Sequence, residues 1–145
     1  MTLKDKIVAE ALLWVGTPYH HHGRIRGVGV DCAMLLAEVY HRAGAVPHLD
    51  PGIYAPQYGL HRGDSLFESW VREHADETGE PPAAGDVVLF RYGRTYSHGA
   101  IAINDHQIVH AVLRADCVLI SGLDEPEYAA LERKTYRLRS IASGG

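Results

Sequence analysis

The sequence predicts an α+β fold in which N-terminal helices pack on a C-terminal antiparallel sheet of about five strands. Apolar residues recur at helical spacing in the first half of the chain, whereas from Gly85 onward β-branched and apolar runs alternate with brief turns. Helices that precede strands favour α+β over alternating α/β, and short turns favour antiparallel pairing. With 145 residues, 46% of them hydrophobic, the chain is expected to form one domain over residues 1–145.

Three helices are predicted in the first half, over residues 2–15, 31–44 and 64–74. Thr2 caps the first helix, and Asp5, three residues later, completes a variant of the capping box. The tripeptide Gly16-Thr17-Pro18 ends this helix. Asp31 caps the second helix, so Cys32 is expected in its first turn.

Between these helices the chain lacks a regular period. Residues 19–30 form a predicted loop that carries three consecutive histidines, His20, His21 and His22. Residues 46–63 are irregular, and residues 76–84 form an acidic connector. Because long loops in compact domains are often functional, residues 46–84 are predicted to form either a lid or groove wall, or a surface excursion packed on the domain.

Five strands are predicted in the second half, with a short helix over residues 124–134 between the last two; the strands span residues 85–92, 97–103, 107–112, 116–120 and 135–139. A turn around Asn104 joins the second strand to the third. In that hairpin, paired residues have numbers that sum to roughly 208 or 209. His98 then faces His110 or its neighbour, so both side chains can lie on one face of the sheet.

Cys32 is the candidate nucleophile. At the start of a helix, unpaired N–H groups and the helix dipole favour an anion, which biases a thiol toward the nucleophilic thiolate. The adjacent Asp31 carboxylate acts in the opposite direction, so a basic partner is needed. His98 can take the thiol proton while His110 fixes its tautomer. The alternatives are a Cys32 that only packs the helix start and two histidines that are buried with satisfied hydrogen bonds.

Five segments of the chain, in this order, closely resemble the NlpC/P60 family of papain-like cysteine peptidases, which cut bacterial cell-wall peptides; they are residues 14–19, 30–32, 85–90, 97–101 and 108–111. The resemblance implies the papain-like NlpC/P60 fold and a peptidoglycan stem peptide as the substrate. The Gly-Thr-Pro-Tyr-His-His loop, the short single domain and the absence of wall-binding repeats are similar to the phage and prophage tail-associated branch. That branch would add phage tail proteins as partners.

By the same resemblance, Cys32 is the nucleophile, His98 the general base and His110 the orienting residue. The implied bond joins a γ-D-glutamyl group to a diamino acid, and the implied reaction is acyl transfer through the cysteine. The residues implied in oxyanion stabilisation or substrate binding are Tyr19, Asp31, Ala33, Ser97 and Gly99.

One departure from the family pattern concerns the two residues after the cysteine. The family commonly has serine and then glycine there, whereas this chain has Ala33 and Met34. The lost hydroxyl removes one polar contact with the substrate. A requirement for a terminal amine, known in part of the family, is therefore in question for this chain.

The composition and the N-terminal sequence argue against a nucleic-acid-binding protein, a membrane-spanning protein and a signal peptide. The net charge of −4 leaves no basic surface for nucleic acid. No apolar run is long enough to span a membrane, and the N-terminus lacks a signal-peptide pattern. The protein is therefore expected to be made in the cytoplasm without a signal peptide, and to act at the cell wall if a phage tail carries it there.

No cofactor and no metal site is predicted. Adjacent residues rarely point at one ion, so the run from His20 to His22 is expected to be a polar loop that lines the cleft. Cys32 and Cys117 lack metal-ligand spacing, and a disulfide between them would consume the candidate nucleophile. The alternative functions are a non-catalytic tail component with the same fold, and an amidase or acyltransferase on a related papain-like scaffold.

Overall fold

The computed structural model describes residues 1–50 and 66–143, in which the longer helices cover one face of an antiparallel sheet. The helices are α1 (Leu3–Leu13), α2 (Cys32–Arg42), α3 (Leu66–His74), α4 (Pro126–Ala129) and α5 (Arg139–Ala142). The strands are β1 (Arg24–Ile25), β2 (Gly29–Val30), β3 (Ala75–Thr78), β4 (Val87–Tyr92), β5 (Thr95–Ala102), β6 (Gln107–Val112), β7 (Cys117–Gly122) and β8 (Arg133–Leu138). The predicted α+β class is confirmed.

The main sheet has six strands rather than about five, in the order β3-β8-β4-β5-β6-β7. The additional strand is β3, which pairs antiparallel with β8 in the stretch predicted to be a connector. This edge strand buries Ala75 but exposes Asp76 and Glu77, so it lacks the apolar alternation that marks a strand in sequence. The strands β1 and β2, of two residues each, form a separate hairpin inside the predicted histidine loop.

The predicted caps of the first two helices are present. Thr2 accepts a hydrogen bond from the Asp5 amide, and Asp5 accepts one from the Thr2 amide. Asp31 caps α2 by accepting from the Met34 amide at 2.9 Å. Gly16 follows α1 with a φ of 90°, a conformation that favours glycine.

Two apolar clusters hold the layers together, one on each face of the sheet. The first contains the helices α1, α2 and α3 with the inward residues of the sheet, and Trp14, Leu35 and Ile101 in it are fully buried. The second covers the opposite face, where Tyr128 of α4 packs over Phe90 and its neighbours. Strand alternation therefore divides β5 between the two clusters, since Ile101 faces the helices and Ala100 faces α4.

The β5–β6 pairing differs slightly from the predicted register. Ile101 pairs with Val109 and Ala102 with Ile108, so the paired numbers sum to 210. His98 and His110 still lie on the same face of the sheet, because each is separated by an even number of residues from Ala102 and Ile108, respectively.

Part of the predicted lid region lies outside the described residues, namely residues 51–65. The described remainder forms α3 and β3, and α3 packs its Phe67 ring against Gly99 of β5. One flank of the region therefore reaches the strand that carries His98. Whether residues 46–84 cover a cleft stays a prediction.

Candidate active site

The thiol of Cys32 lies where the first turn of α2 meets β5. Cys32 is half-buried, and the backbone amides of Gly99, Ala33 and Cys32 itself lower the pKa of its thiol against the larger, opposing effect of burial. Gly99 directly follows His98 in β5, so the thiol lies against the part of this strand that carries His98. The Tyr92 ring lies edge-on to His98, with centroids 5.9 Å apart, and burial raises the pKa of its phenol.

The two predicted histidines are in direct contact. His98 Nε2 and His110 Nδ1 are 2.8 Å apart, and the rings meet edge to face with centroids 5.1 Å apart. His110 is completely buried, whereas His98 is half-buried. Because Nε2 of His98 is hydrogen-bonded to His110, Nδ1 is the nitrogen of His98 that remains to accept the thiol proton. This is the arrangement of base and orienting residue that a cysteine nucleophile requires.

Burial outweighs the bias toward the thiolate that the helix start provides. Burial, and secondly the Asp31 charge, raise the pKa of Cys32 to about 12, although three backbone amides lower it. Burial also lowers the pKa of His98 to about 4, despite the opposing Glu127 charge. Burial and then the neighbouring His98 lower the pKa of His110 to about 3. These shifts favour a neutral thiol and two neutral imidazoles in the resting site, and they oppose the bias toward thiolate that the helix start provides.

This charge state predicts a characteristic pH dependence for alkylation of Cys32. With a thiol pKa near 12, the thiolate fraction grows about tenfold for each pH unit between 7 and 10. We expect the rate of carbamidomethylation by iodoacetamide to grow with it, measured by mass spectrometry in a Cys117→Ser background. The acyl transfer implied by the family resemblance should instead persist to low pH and decline as the pH falls through about 4, because His98 then gains a proton and no longer acts as a base. Rapid, pH-independent alkylation from pH 5 upward would show a thiolate–imidazolium pair and contradict this prediction.

Tyr19 lies beside the nucleophile. The phenol is half-buried and interacts with the side chain and the backbone amide of Cys32, and burial raises its pKa well above the ordinary value. A bridge to Val30 and a hydrogen bond from the Tyr19 amide to the Asp116 carbonyl fix its backbone. The Tyr19 hydroxyl and the Cys32 amide are thus two donors beside the sulfur, where the oxyanion of acyl transfer would form.

Asp31 is engaged by the protein itself. Its side chain is 4% exposed, and its two oxygens accept hydrogen bonds from the Met34 and His22 amides, each at 2.9 Å. The imidazole of His21 lies 3.7 Å from the second oxygen. Asp31 therefore ties the histidine loop to the start of α2, and its contact with substrate stays a prediction.

The remaining predicted residues surround the thiol and His98. Ala33 packs against the first core cluster, and Ser97 is half-buried in β5. Gly99 is required for close approach, because a Cβ there would lie 2.8 Å from Cε2 of Phe67 and 3.1 Å from Cδ2 of Leu36.

Sequence reasoning missed Ser121 and Tyr128, which lie behind the histidine pair. Ser121 Oγ lies 2.8 Å from His110 Nε2, and both residues are almost completely buried. Ser121 pairs with Ile108 across β6 and β7, so it lies diagonally beside His110 on the same face of the sheet. The alternation of side chains along β7 could have placed Ser121 on the face of His110, but only if the register between β6 and β7 were known.

The histidine loop is ordered by contacts among its own residues. His21 and His22 stack with ring centroids 4.0 Å apart, and the His20 Nδ1 atom lies 2.9 Å from the His21 carbonyl oxygen. Within residues 1–50 and 66–143, no group of three or more histidine, cysteine, aspartate or glutamate side chains is arranged to hold a metal ion. Cys32 and Cys117 are both free thiols. Over the same described ranges, no helix is both long and apolar enough to cross a membrane.

A cysteine at the first residue of a helix, set against a sheet that carries two hydrogen-bonded histidines, defines the papain-like class of cysteine peptidase folds. Within that class, the chain belongs to the NlpC/P60 family, whose sequence profile matches residues 16–136.

Known relatives agree with this assignment. The chain is 27% identical over 143 residues to an Escherichia coli K12 protein named murein DD-endopeptidase MepS/murein LD-carboxypeptidase, covering 95% of this chain and 64% of that one. It is 25% identical to the NlpC/p60 domain of the peptidoglycan hydrolase SagA, with a TM-score of 0.61 over 90% of this chain and 96% of that domain. An NLP/P60 protein of Staphylococcus aureus, 24% identical, shares the fold with a TM-score of 0.65 over 94% of this chain and 41% of that one.

Proposed function

We propose that the protein is a cysteine endopeptidase that cleaves the stem peptides of peptidoglycan. The observation that carries this proposal is the Cys32 thiol, which lies beside Tyr19 and Gly99 at the end of the sheet where His98 is backed by His110. Family membership supports peptidoglycan as the substrate, as does similarity to proteins named as murein or peptidoglycan hydrolases.

In the proposed reaction, the neutral thiol becomes nucleophilic only when the substrate carbonyl is in place. The sulfur of Cys32 attacks the carbonyl carbon while Nδ1 of His98 takes the thiol proton. The Cys32 amide and the Tyr19 hydroxyl donate to the oxyanion, and the loss of one such donor typically costs about 10²–10³ in rate. His98 then protonates the leaving amine, and afterwards it activates the water that hydrolyses the thioester.

We propose that the cleaved bond joins a γ-D-glutamyl group to a diamino acid. A cavity of about 410 Å³ beside His98 offers space for the leaving group, since this histidine must protonate the departing amine. Arg114 and Glu127 form an ion pair at this cavity. Because an exposed pair contributes little free energy, either charge can rearrange to meet a charged substrate group.

The position of Asp31 supports cleavage inside an intact stem. Both carboxylate oxygens accept backbone hydrogen bonds, and Ala33 replaces the serine that is common in the family. These two bonds take half of the acceptor positions of the carboxylate, so less of it is available to a substrate ammonium. We therefore propose that hydrolysis does not depend on a free amine at the end of the substrate.

Digestion of purified peptidoglycan tests this function. Mass analysis of the products should show a new γ-D-glutamyl carboxylate and a new diamino-acid amine in equal amounts. Intact muropeptides and amine-terminated stem peptides should be cleaved within about tenfold of each other. Cleavage of the D,D cross-link instead would overturn the proposed bond. Binding to the wall with no cleavage would overturn the enzymatic proposal.

We also propose that the protein reaches the wall as part of a phage tail. The resemblance of the Gly-Thr-Pro-Tyr-His-His loop to the tail-associated branch supports this delivery route. Proteomic analysis of virions induced from the host should recover the protein with tail components. Its absence from purified particles would contradict the proposal.

A further inference from the structure

A chain of buried polar groups continues from the histidine pair into the sheet. His110 Nδ1 lies 2.8 Å from His98 Nε2, and its other nitrogen, Nε2, lies 2.8 Å from Ser121 Oγ. The Ser121 side chain also interacts with the Tyr128 phenol, which in turn interacts with Glu127. His110 is 0% exposed, and Ser121 and Tyr128 are each 4% exposed, so water does not compete for these contacts.

Two proton arrangements are available to this chain. A neutral imidazole donates through one nitrogen and accepts through the other. In the first arrangement, His98 Nε2–H donates to His110 Nδ1, and His110 Nε2–H donates to Ser121 Oγ. In the second, Ser121 donates to His110 Nε2, and His110 Nδ1–H donates to His98 Nε2. The second arrangement places the His98 proton on Nδ1, where it prevents this nitrogen from accepting the thiol proton.

The hydroxyl of Ser121 selects between these arrangements. Ser121 has one hydrogen, and Tyr128 provides an acceptor oxygen for it, while the Tyr128 hydrogen can point toward the Glu127 carboxylate. When Ser121 donates to Tyr128, its lone pairs remain to accept from His110 Nε2–H. The ring of Tyr128 packs edge-on against His110, with centroids 5.1 Å apart, and so holds both partners in place.

We propose that Ser121, held by Tyr128, is a positioning residue that sets the tautomer of His110 and thereby keeps Nδ1 of His98 free to accept the thiol proton. Only the expected effect of Ser121 on catalysis rests on the proposed function. The tautomer itself is a property of the free protein and can be measured without substrate.

The test combines nitrogen NMR of the histidine rings with kinetics. In the wild-type protein, His110 should carry its proton on Nε2 and His98 should also carry its proton on Nε2. Ser121→Ala removes the acceptor for His110 Nε2–H, so both protons should move to Nδ1, since a buried donor without a partner is less tolerated than a buried acceptor. On peptidoglycan fragments, kcat should fall roughly tenfold with little change in KM.

Matched variants separate positioning from packing. Ser121→Thr keeps a hydroxyl and should restore the wild-type tautomer and kcat within about twofold. Tyr128→Phe keeps Ser121 but removes its acceptor, so it should produce the same tautomer change even if Ser121→Ala fails to fold. Thr135→Val removes another buried hydroxyl, on β8, and should leave tautomer and kcat unchanged.

Two results would overturn the inference. The first is a wild-type tautomer in both Ser121→Ala and Tyr128→Phe. The second is a changed tautomer with an unchanged kcat. If the wild-type protein cleaves no peptidoglycan but shows the expected tautomers, the proposed function fails while the positioning of His110 stands.

Discussion

Replacing Cys32 with serine is expected to reduce hydrolysis of peptidoglycan peptides by about 10⁴-fold or more, as is typical when a nucleophile that acts together with a base is removed. A hydroxyl is less acidic and a weaker nucleophile than a thiol, and burial makes His98 and His110 weak bases by lowering the pKa of each ring. The substitution is nearly isosteric, so the midpoint of thermal unfolding should change by only about 2 °C. The measurement is release of free amines from purified peptidoglycan under conditions that saturate the wild-type protein.

The second cysteine provides the control. Cys117 is the first residue of β7 and is a free thiol, so Cys117→Ser tests for effects of thiol removal in general. This variant should keep at least half of the wild-type rate. A Cys32→Ser protein that retains more than about a tenth of the rate would remove Cys32 from the mechanism. It would also refute acyl transfer through the sulfur.

Replacing Arg137 with methionine is expected to destabilise the fold by about 3–5 kcal/mol, because it leaves a buried carboxylate without its cation. Asp86 is fully buried, and Arg137 donates to both of its oxygens, from Nε at 3.0 Å and from Nη2 at 2.9 Å. The hydrogen bonds to Asp86, and secondly the one to Glu80, raise the pKa of Arg137 above its ordinary value. The bonds to Asp86 join β8, next to the sheet edge, to the turn before β4. The expected fall in the unfolding midpoint is roughly 10–20 °C by calorimetry.

Arg137 also forms an ion pair with an exposed carboxylate, which allows the effect of a buried partner to be distinguished from that of an exposed one. Arg137 also contacts Glu80 at 2.8 Å, but the Glu80 side chain is 70% exposed. Glu80→Gln should therefore cost less than about 1 kcal/mol. The double variant Asp86→Leu/Arg137→Met removes both buried charges and should recover much of the lost stability. Equal destabilisation by Glu80→Gln and Arg137→Met would show that burial of Asp86 is not the cause.

The sequence predicted those features of the site that depend on local rules. The cap formed by Asp31 and the position of Cys32 follow from helix-start preferences, and the meeting of His98 with His110 follows from a short hairpin. A slip of one or two positions in the register did not separate the histidines, because both side chains remained on one face.

The features that the sequence did not predict depend on tertiary packing. Burial against β5 raises the pKa of Cys32. Residues 32 and 99 are far apart in the chain, so no local sequence pattern reveals this burial. Ser121 and Tyr128 reach His110 only once β7 and α4 have been placed on the sheet. The strand β3 escaped prediction because an edge strand is held by backbone pairing to β8 and needs few apolar side chains.

The protonated resting state of Cys32 has a consequence for chemical durability. Peroxide converts a thiolate to sulfenic acid, and susceptibility follows thiolate character and exposure. At neutral pH, a half-buried sulfur whose pKa is about 12 is a thiolate only about once in 10⁵ molecules. The Cys32 sulfur is therefore expected to react slowly with peroxide at neutral pH.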